Sequence, residues 1–334
     1  MAQLVFKTSP VVQPTACSVR LRGRSVHYAP EMRTRRLGSS ELEVTVVGLG
    51  CNNFGGRIGE DESWAVIDAA LDAGVTFFDT ADVYGNKGGS EEIIGRALAG
   101  RRDRVVLGTK FGHDLGDGET VRGARPYIRK AVEASLRRLQ TDWIDLYQYH
   151  RPDGVTPVEE TLGALDELVQ EGTVRAIGSS NFTAEMVEEA HAVAGEGGLT
   201  PFVSEQSEYS WLVRQAEEEL LPACERLGVG FIPYFPLASG LLTGKYERGE
   251  PAPEGTRLHG RELEDAHLDR VERLEAFAAE RGVTLLDVAI GALAAVPGVV
   301  SVIAGATKPE QVRANAAAGG WEPSADDLAA LRAL

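Results

Sequence analysis

"FFDTADVYG", residues 77–85, runs two phenylalanines into an aspartate and sets a tyrosine five residues further on. Phe77 and Phe78 read as the end of a buried strand, and Asp79 stands where that strand leaves the core. Gly85 permits a turn directly after Tyr84. Two readings of the polar pair are open here: an aspartate that starts a turn beneath a tyrosine plug, or two members of a reactive site. The runs that surround the segment decide what kind of strand it ends. "VTFFDT" (75–80) is one of eight short β-rich runs, with "VTVVGLG" (44–50), "RVVLGTK" (104–110), "WIDLYQYH" (143–150), "VRAIGSSN" (174–181), "PFVSEQSE" (201–208), "VGFIPYFP" (229–236) and "VVSVIAGA" (299–306). Between them the apolar spacing turns helical. Trp64, Ile67 and Leu71 mark residues 61–73; Ile128, Val132, Leu136 and Leu139 mark 127–139; Val158, Leu162, Leu165 and Val169 mark 158–169.

Strands that alternate with helices imply a parallel sheet with right-handed crossovers. Eight such units in about 260 residues match the size of a single (β/α)8 TIM barrel. Gly172, Gly228 and Gly282 each stand shortly before an expected strand, as helix C-caps should. One connection breaks the pattern: residues 237–267, rich in glycine, proline and charge, form a long loop after strand seven, and loops of that length are functional or disordered.

Composition narrows the function class. The 334 residues are 43% hydrophobic and 25% charged, ordinary for a globular enzyme. No apolar run approaches the ~20 residues of a membrane span. The formal charge is −16, and residues 1–36 hold seven bases and one acid, leaving the rest with 27 bases against 49 acids, a net of −22. Such a body repels nucleic acid and acidic membranes, so neither is expected as a partner. Cys17, Cys51 and Cys224 are odd in number and widely spaced, which fits reduced thiols and a cytoplasmic location better than a disulfide framework. The six histidines show no metal-ligand spacing, so no metal is expected. Residues 1–32 read as a disordered leader or a start assigned too far upstream, and 33–334 as the barrel.

Active sites of such barrels form at the C-terminal strand ends. Those ends bring Asp79, Lys110 and His150 to one mouth, with Tyr84 in the loop after strand two. A free tyrosine, with a pKa near ~10, is a poor acid at neutral pH. A neighbouring ammonium would stabilise the phenolate and pull that value down. The aspartate would hold Lys110 against the phenol, and the histidine could orient and polarise a carbonyl. No side chain here donates hydride, so reduction would need a nicotinamide.

"FFDTADVYG", "LGTKFG", "DLYQYHRPD", "RAIGSSNF" and "YFPLASGLLTGKY", in this order, resemble the aldo-keto reductase superfamily, over about Arg33 to Asn315. The resemblance implies NADPH-dependent, reversible reduction of aldehyde or ketone carbonyls, with Asp79, Tyr84, Lys110 and His150 as the catalytic tetrad and Tyr84 as general acid. It places Ser180, Asn181 and Gln206 on the nicotinamide carboxamide and Tyr234 against the ring. Leu237, Ser239 and Gly240 would approach the pyrophosphate, and Gly305, Thr307, Lys308, Gln311 and Asn315 the adenosine end. Many members carry a base where this chain has Gly305 and Gln311, so the 2′-phosphate contact, and with it NADP(H) over NAD(H), rests mainly on Lys308. Phe54, Phe111 and Trp211, on mouth loops, are expected to line an apolar substrate pocket. The same superfamily contains regulatory subunits of channels that bind the nucleotide with little turnover, which is the second reading. A small-molecule carbonyl is the expected partner, for a monomer or a homo-oligomer.

Other motifs fall away. "GLGCNNFGG" has Asn53 in place of the third glycine of a dinucleotide fingerprint, and "GLLTGKY" is one residue short of a phosphate loop, with Tyr246 where a magnesium-binding hydroxyl belongs.

Overall fold

The computed structural model describes residues 32–334 and, before them, the backbone of two short strands, Ser18–Leu21 and Arg24–His27. These two form an antiparallel pair with Ser18 opposite His27. The rest of the expected leader lies outside the described residues, and Met32 already packs against the core of the larger unit.

In that unit eight parallel strands follow one another: β1 (Val47–Gly50), β2 (Phe77–Asp79), β3 (Val106–Phe111), β4 (Ile144–Tyr149), β5 (Val174–Ser180), β6 (Ser204–Glu208), β7 (Gly230–Tyr234) and β8 (Val302–Gly305). Neighbours in sequence are neighbours in the sheet, and β8 pairs with β1, Val302 lying opposite Val47. The ring is completed where Phe231 of β7 meets the approach to β8: its N–H donates to Gly298 O and its carbonyl accepts from Val300 N–H, both at 2.9 Å. This is the (β/α)8 barrel expected from the sequence.

Alternation along the strands sorts the side chains. Phe77, Leu146, Ala176, Val203, Ile232 and Ile303 fill the interior together with Leu37 and Val44. The last two come from an antiparallel hairpin, Thr34–Arg36 with Glu43–Thr45, that closes the N-terminal end of the barrel. Its turn needs Gly38, at φ +54°, because a Cβ there would lie 2.0 Å from Val203 O. With the N-terminal end plugged, the opposite mouth is left for chemistry.

The outer layer is α1 (Glu60–Asp72), α2 (Tyr84–Ala97), α3 (Arg125–Leu139), α4 (Val158–Gln170), α5 (Ala184–Gly197) and α6 (Leu220–Leu227). It continues with α7 (Asp265–Glu280), α8 (Pro309–Ala318) and α9 (Ala325–Ala333). The expected stripes are buried at Ile67, Ile128, Val132, Leu162 and Leu165. Trp64 instead sits at the edge, 37% exposed, with its indole N–H donated to Ile93 O at 3.3 Å. The outer layer exceeds one helix per strand because both α8 and α9 follow β8, while the long connection after β7 leads to α7. A 3-10 turn at Ala238–Thr243 leads into irregular chain and then α7. Gly228 caps α6 in the left-handed conformation, and Gly172 and Gly282 also have positive φ, as their positions predict.

Candidate active site

β2 and β3 carry the centre of the site. Asp79, last residue of β2, and Lys110, next to last in β3, both point inward and are fully buried. Lys110 Nζ donates to Asp79 Oδ2 at 2.6 Å and to Thr80 O at 2.9 Å. Asp79 Oδ1 accepts from Gln206 Nε2 at 2.9 Å and from Gln148 Nε2 at 3.2 Å. A buried charge must be matched and its remaining lone pairs satisfied, and this carboxylate has one cation and two amides to do so. Gln148 was not foreseen as a site residue. Its signal was present in "WIDLYQYH", where Leu146, Gln148 and His150 share one face of a strand with period two.

Tyr84 enters from the next turn. Residues 85–88 have φ between +61° and +110°, so the chain swings round before the regular part of α2 begins, and Tyr84 stands at the mouth. Lys110 Nζ lies 5.0 Å from the centre of its ring. His150 follows β4 and meets the phenol edge-on, with ring centres 5.8 Å apart. The four residues expected to meet are thus brought together.

The electrostatics differ from expectation in one respect. Burial raises the Tyr84 phenol above its ordinary value; Lys110 pulls it down, but with Asp79 adding to the rise the net direction is upward. Desolvation, which a sequence does not display, outweighs the neighbouring ammonium. Burial acts to lower Lys110, yet Asp79 and Tyr84 override it and its net shift is upward. His150 is pushed well below its usual value by burial, then by Lys110, His113 and Arg151. At neutral pH the mouth therefore holds a protonated phenol, an ammonium and a neutral imidazole.

The residues expected around a nicotinamide lie next to this cluster. Asn181, left-handed at φ +60°, donates its amide to His150 O at 2.9 Å and to Ser180 Oγ at 3.1 Å, and accepts from Tyr234 OH at 2.8 Å. Gln206 is engaged with Asp79 and Gln148. Beyond Tyr234 the backbone turns left-handed at Phe235 and again, just after Leu237, at Ala238, Ser239 and Gly240. A Cβ at Gly240 would come within 2.5 Å of Lys245 Nζ. Non-glycine residues held in this conformation cluster at ligand sites, and successive turns of this kind aim backbone N–H groups at anions. Gly305, last in β8, is exposed beside Asn53; past it, Thr307 N–H donates to Gln311 Oε1 at 2.8 Å, Lys308 is exposed at the start of α8, and Asn315 is buried.

Phe54, Phe111 and Trp211 do not line an open pocket. All three are fully buried in the core. Phe111 is stacked between Tyr147 and Tyr149, with centroids 4.8 and 5.0 Å away, and Trp211 donates its indole N–H to Val288 O. Their mouth-proximal positions in sequence say nothing of which way each ring turns. The exposed aromatic at the mouth is Phe235, with the Arg257 guanidinium 5.6 Å from its ring centre.

Arg257 and Arg57 are the further residues that sequence reading missed. Arg257, in the long loop, donates to Asn53 Oδ1 at 3.1 Å, and Arg57 donates to Gly255 O at 3.1 Å. Burial, then Arg57, lowers Arg257. Nearby Arg248 is paired with Asp265, Asp269 and Glu272, whereas Arg57, Arg257, Lys245 and Lys308 have no carboxylate partner among the described residues. Cations without carboxylate partners stand out at this mouth, because the chain as a whole carries a net charge of −16. A lone base in a charged loop gives no sequence signal of this.

The sequence profile of the aldo/keto reductase family matches residues 46–334. Among curated proteins, a probable voltage-gated potassium channel subunit beta of Oryza sativa subsp. japonica is 39% identical over 298 residues, 85% of this chain and 90% of that one. Its namesake in Arabidopsis thaliana is 38% identical over the same shares of the two chains. The uncharacterized oxidoreductase YrpG of Bacillus subtilis (strain 168) is 39% identical over 289 residues, 83% of this chain and 88% of its own length.

Proposed function

The chain belongs to the aldo/keto reductase family, and from that premise we propose that it reduces aldehyde or ketone carbonyls reversibly with NADPH, Tyr84 acting as the acid. The observation that carries the reading is the meeting of Tyr84 with His150 and with the buried Asp79–Lys110 pair, whose ammonium lies 5.0 Å from the phenol ring centre. The donor set fits the cofactor. Asn181 and Ser180 would offer amide and hydroxyl partners to a carboxamide, and Arg57, Arg257 and Lys308, beside the left-handed turn at Ser239, would hold phosphates. A nicotinamide, when bound, supplies the hydride that no side chain here can.

The residues do the rest. Neutral His150 can donate a hydrogen bond to a carbonyl oxygen and so fix its position. Tyr84 then gives that oxygen its proton as negative charge develops there. Lys110 stabilises the phenolate left behind, and Asp79 keeps the ammonium in place. In alcohol oxidation the same phenolate takes the proton back.

The relatives named as channel subunits support a second reading, a nucleotide-binding subunit with little turnover. One experiment separates them: NADPH binding by fluorescence, followed by NADPH oxidation across aldehydes, ketones and quinones. Binding with turnover of at least one carbonyl supports the reductase. Binding without any turnover supports the subunit, and absence of binding removes both.

A further inference from the structure

Glu205 is a carboxylate that the chemistry above leaves unused. Its neighbour Gln206 turns inward to Asp79, so Glu205 faces the outer side of β6, and it is completely buried. Oε1 accepts from Ser207 Oγ at 2.7 Å and from the backbone N–H of Phe182 at 3.2 Å, while Oε2 accepts from Ser179 Oγ. No lysine or arginine pairs with it among the described residues.

Two of these donors bracket Ser180 and Asn181, the residues proposed to meet the carboxamide. Asn181 is held at φ +60°, a conformation that costs energy in a non-glycine residue and persists only where its surroundings impose it. One carboxylate thus ties down both ends of the segment 179–182. We propose that Glu205 is a positioning residue for the nicotinamide carboxamide, holding this segment in its binding shape while ionised; the proposal rests on the cofactor reading above.

The donors explain why ionisation matters. A carboxylate offers only acceptors, which suits two hydroxyls and an N–H. A protonated carboxyl must donate through one oxygen, and the Phe182 N–H cannot turn round to receive it. A serine must rotate instead, and Ser179 Oγ has another acceptor in Ser204 O at 3.4 Å. The bonds from Phe182 N–H and Ser207 then lose the charge assistance that makes such bonds roughly twice as strong, and the tie between β6 and the segment slackens. Burial without a cation lifts Glu205 to about 7, so the change falls in the neutral range. Two titratable groups feel its charge, Cys224 from the outer layer and Tyr234 from the inward side of β7. The Cys224 thiol on α6 is pushed up to about 12, chiefly by burial, and the Tyr234 phenol on β7 is raised, again chiefly by burial. Neither titrates near neutrality.

The test measures NADH affinity by fluorescence between pH 6 and 8, because NADH lacks the 2′-phosphate, whose own titration would confuse the result. Affinity of the parent should fall about fivefold to tenfold from pH 8 to pH 6, following the ionised fraction. Glu205→Gln replaces the acid O–H by an amide N–H. It should bind as the parent does at pH 6, with less than twofold change across the range, the loss appearing in affinity and not in turnover at saturating cofactor. Ser207→Ala keeps the carboxylate, removes one donor, and should move the midpoint to higher pH. A parent affinity independent of pH would overturn the proposal, as would a Gln variant that keeps the parental slope or only melts earlier with unchanged affinity. A parent that binds no nicotinamide nucleotide at any pH overturns the cofactor reading together with it.

Discussion

The two halves of the barrel mouth are built on opposite principles. On the β2–β4 side Asp79 and Lys110 are buried and paired, and the carboxylate also accepts from Gln148 and from Gln206 of β6. On the β7–β8 side the cations Arg57, Arg257 and Lys308 have no carboxylate partner among the described residues, and the chain runs through left-handed turns. The first half has its central ion pair matched within the protein, although the buried His150 Nδ1 beside it has no partner among the described residues. The second leaves its positive charge facing solvent. Preorganised charge favours a reacting centre, whereas unpaired charge at a rim favours capture of a ligand.

The largest effect should come from breaking the closed half. Lys110→Met leaves the Asp79 carboxylate buried without its cation, which costs about 3–5 kcal/mol, and turnover should drop at least a hundredfold. Thermal unfolding and steady-state rates check this. Adding Asp79→Asn should restore much of the melting temperature but none of the turnover; recovery of activity would contradict the roles assigned to the pair.

In the open half the effects should appear in affinity. Arg257 is half-buried and hydrogen-bonded, so Arg257→Ala should weaken NADPH binding about tenfold to a hundredfold, as loss of a charge-assisted contact of roughly 1.5–3 kcal/mol does. Lys308 is exposed, and solvent screening limits such a contact to about 1 kcal/mol or less. Lys308→Ala should therefore cost at most about fivefold, confined to NADPH. Dissociation constants for NADPH and NADH with each variant test the ranking, and equal loss for both nucleotides would show that Lys308 does not read the 2′-phosphate.

The smallest expected effect is a flat line. Tyr84 is held above its ordinary value and His150 well below its own, so between pH 6 and 9 the phenol stays protonated and the imidazole neutral. Turnover in the reduction direction, at saturating cofactor, should vary by less than twofold over that range. A fall with an apparent pKa inside it would mean that one of the two groups titrates where burial says it should not.

The halves also differ in how much of them the sequence displays. The barrel strands and the meeting of Asp79, Tyr84, Lys110 and His150 were readable because alternation sets the inward face and each of these residues stands near a strand end, as in "FFDTADVYG" and "DLYQYH". The burial of Phe54, Phe111 and Trp211 was not, since a loop residue's ring can turn to either side and packing alone decides. Arg257 was hidden for a related reason: only the folded loop brings it to Asn53, 204 positions away in sequence. The upward shift of Tyr84 comes from desolvation, a property of the assembled mouth. Glu205 sat unremarked inside "PFVSEQSE", where nothing marks which donors surround it.

The most direct test of the account is Tyr84→Phe, assayed with a reactive aldehyde at saturating NADPH beside a titration of NADPH binding. Phenylalanine keeps the ring against His150 and removes the proton. Turnover should fall by at least a hundredfold, the lower end of what general acid catalysis contributes, while the NADPH dissociation constant stays within threefold of the parent. A mutant that reduces the aldehyde within threefold of the parental rate would contradict the account, and Tyr84 would be a plug above a strand end.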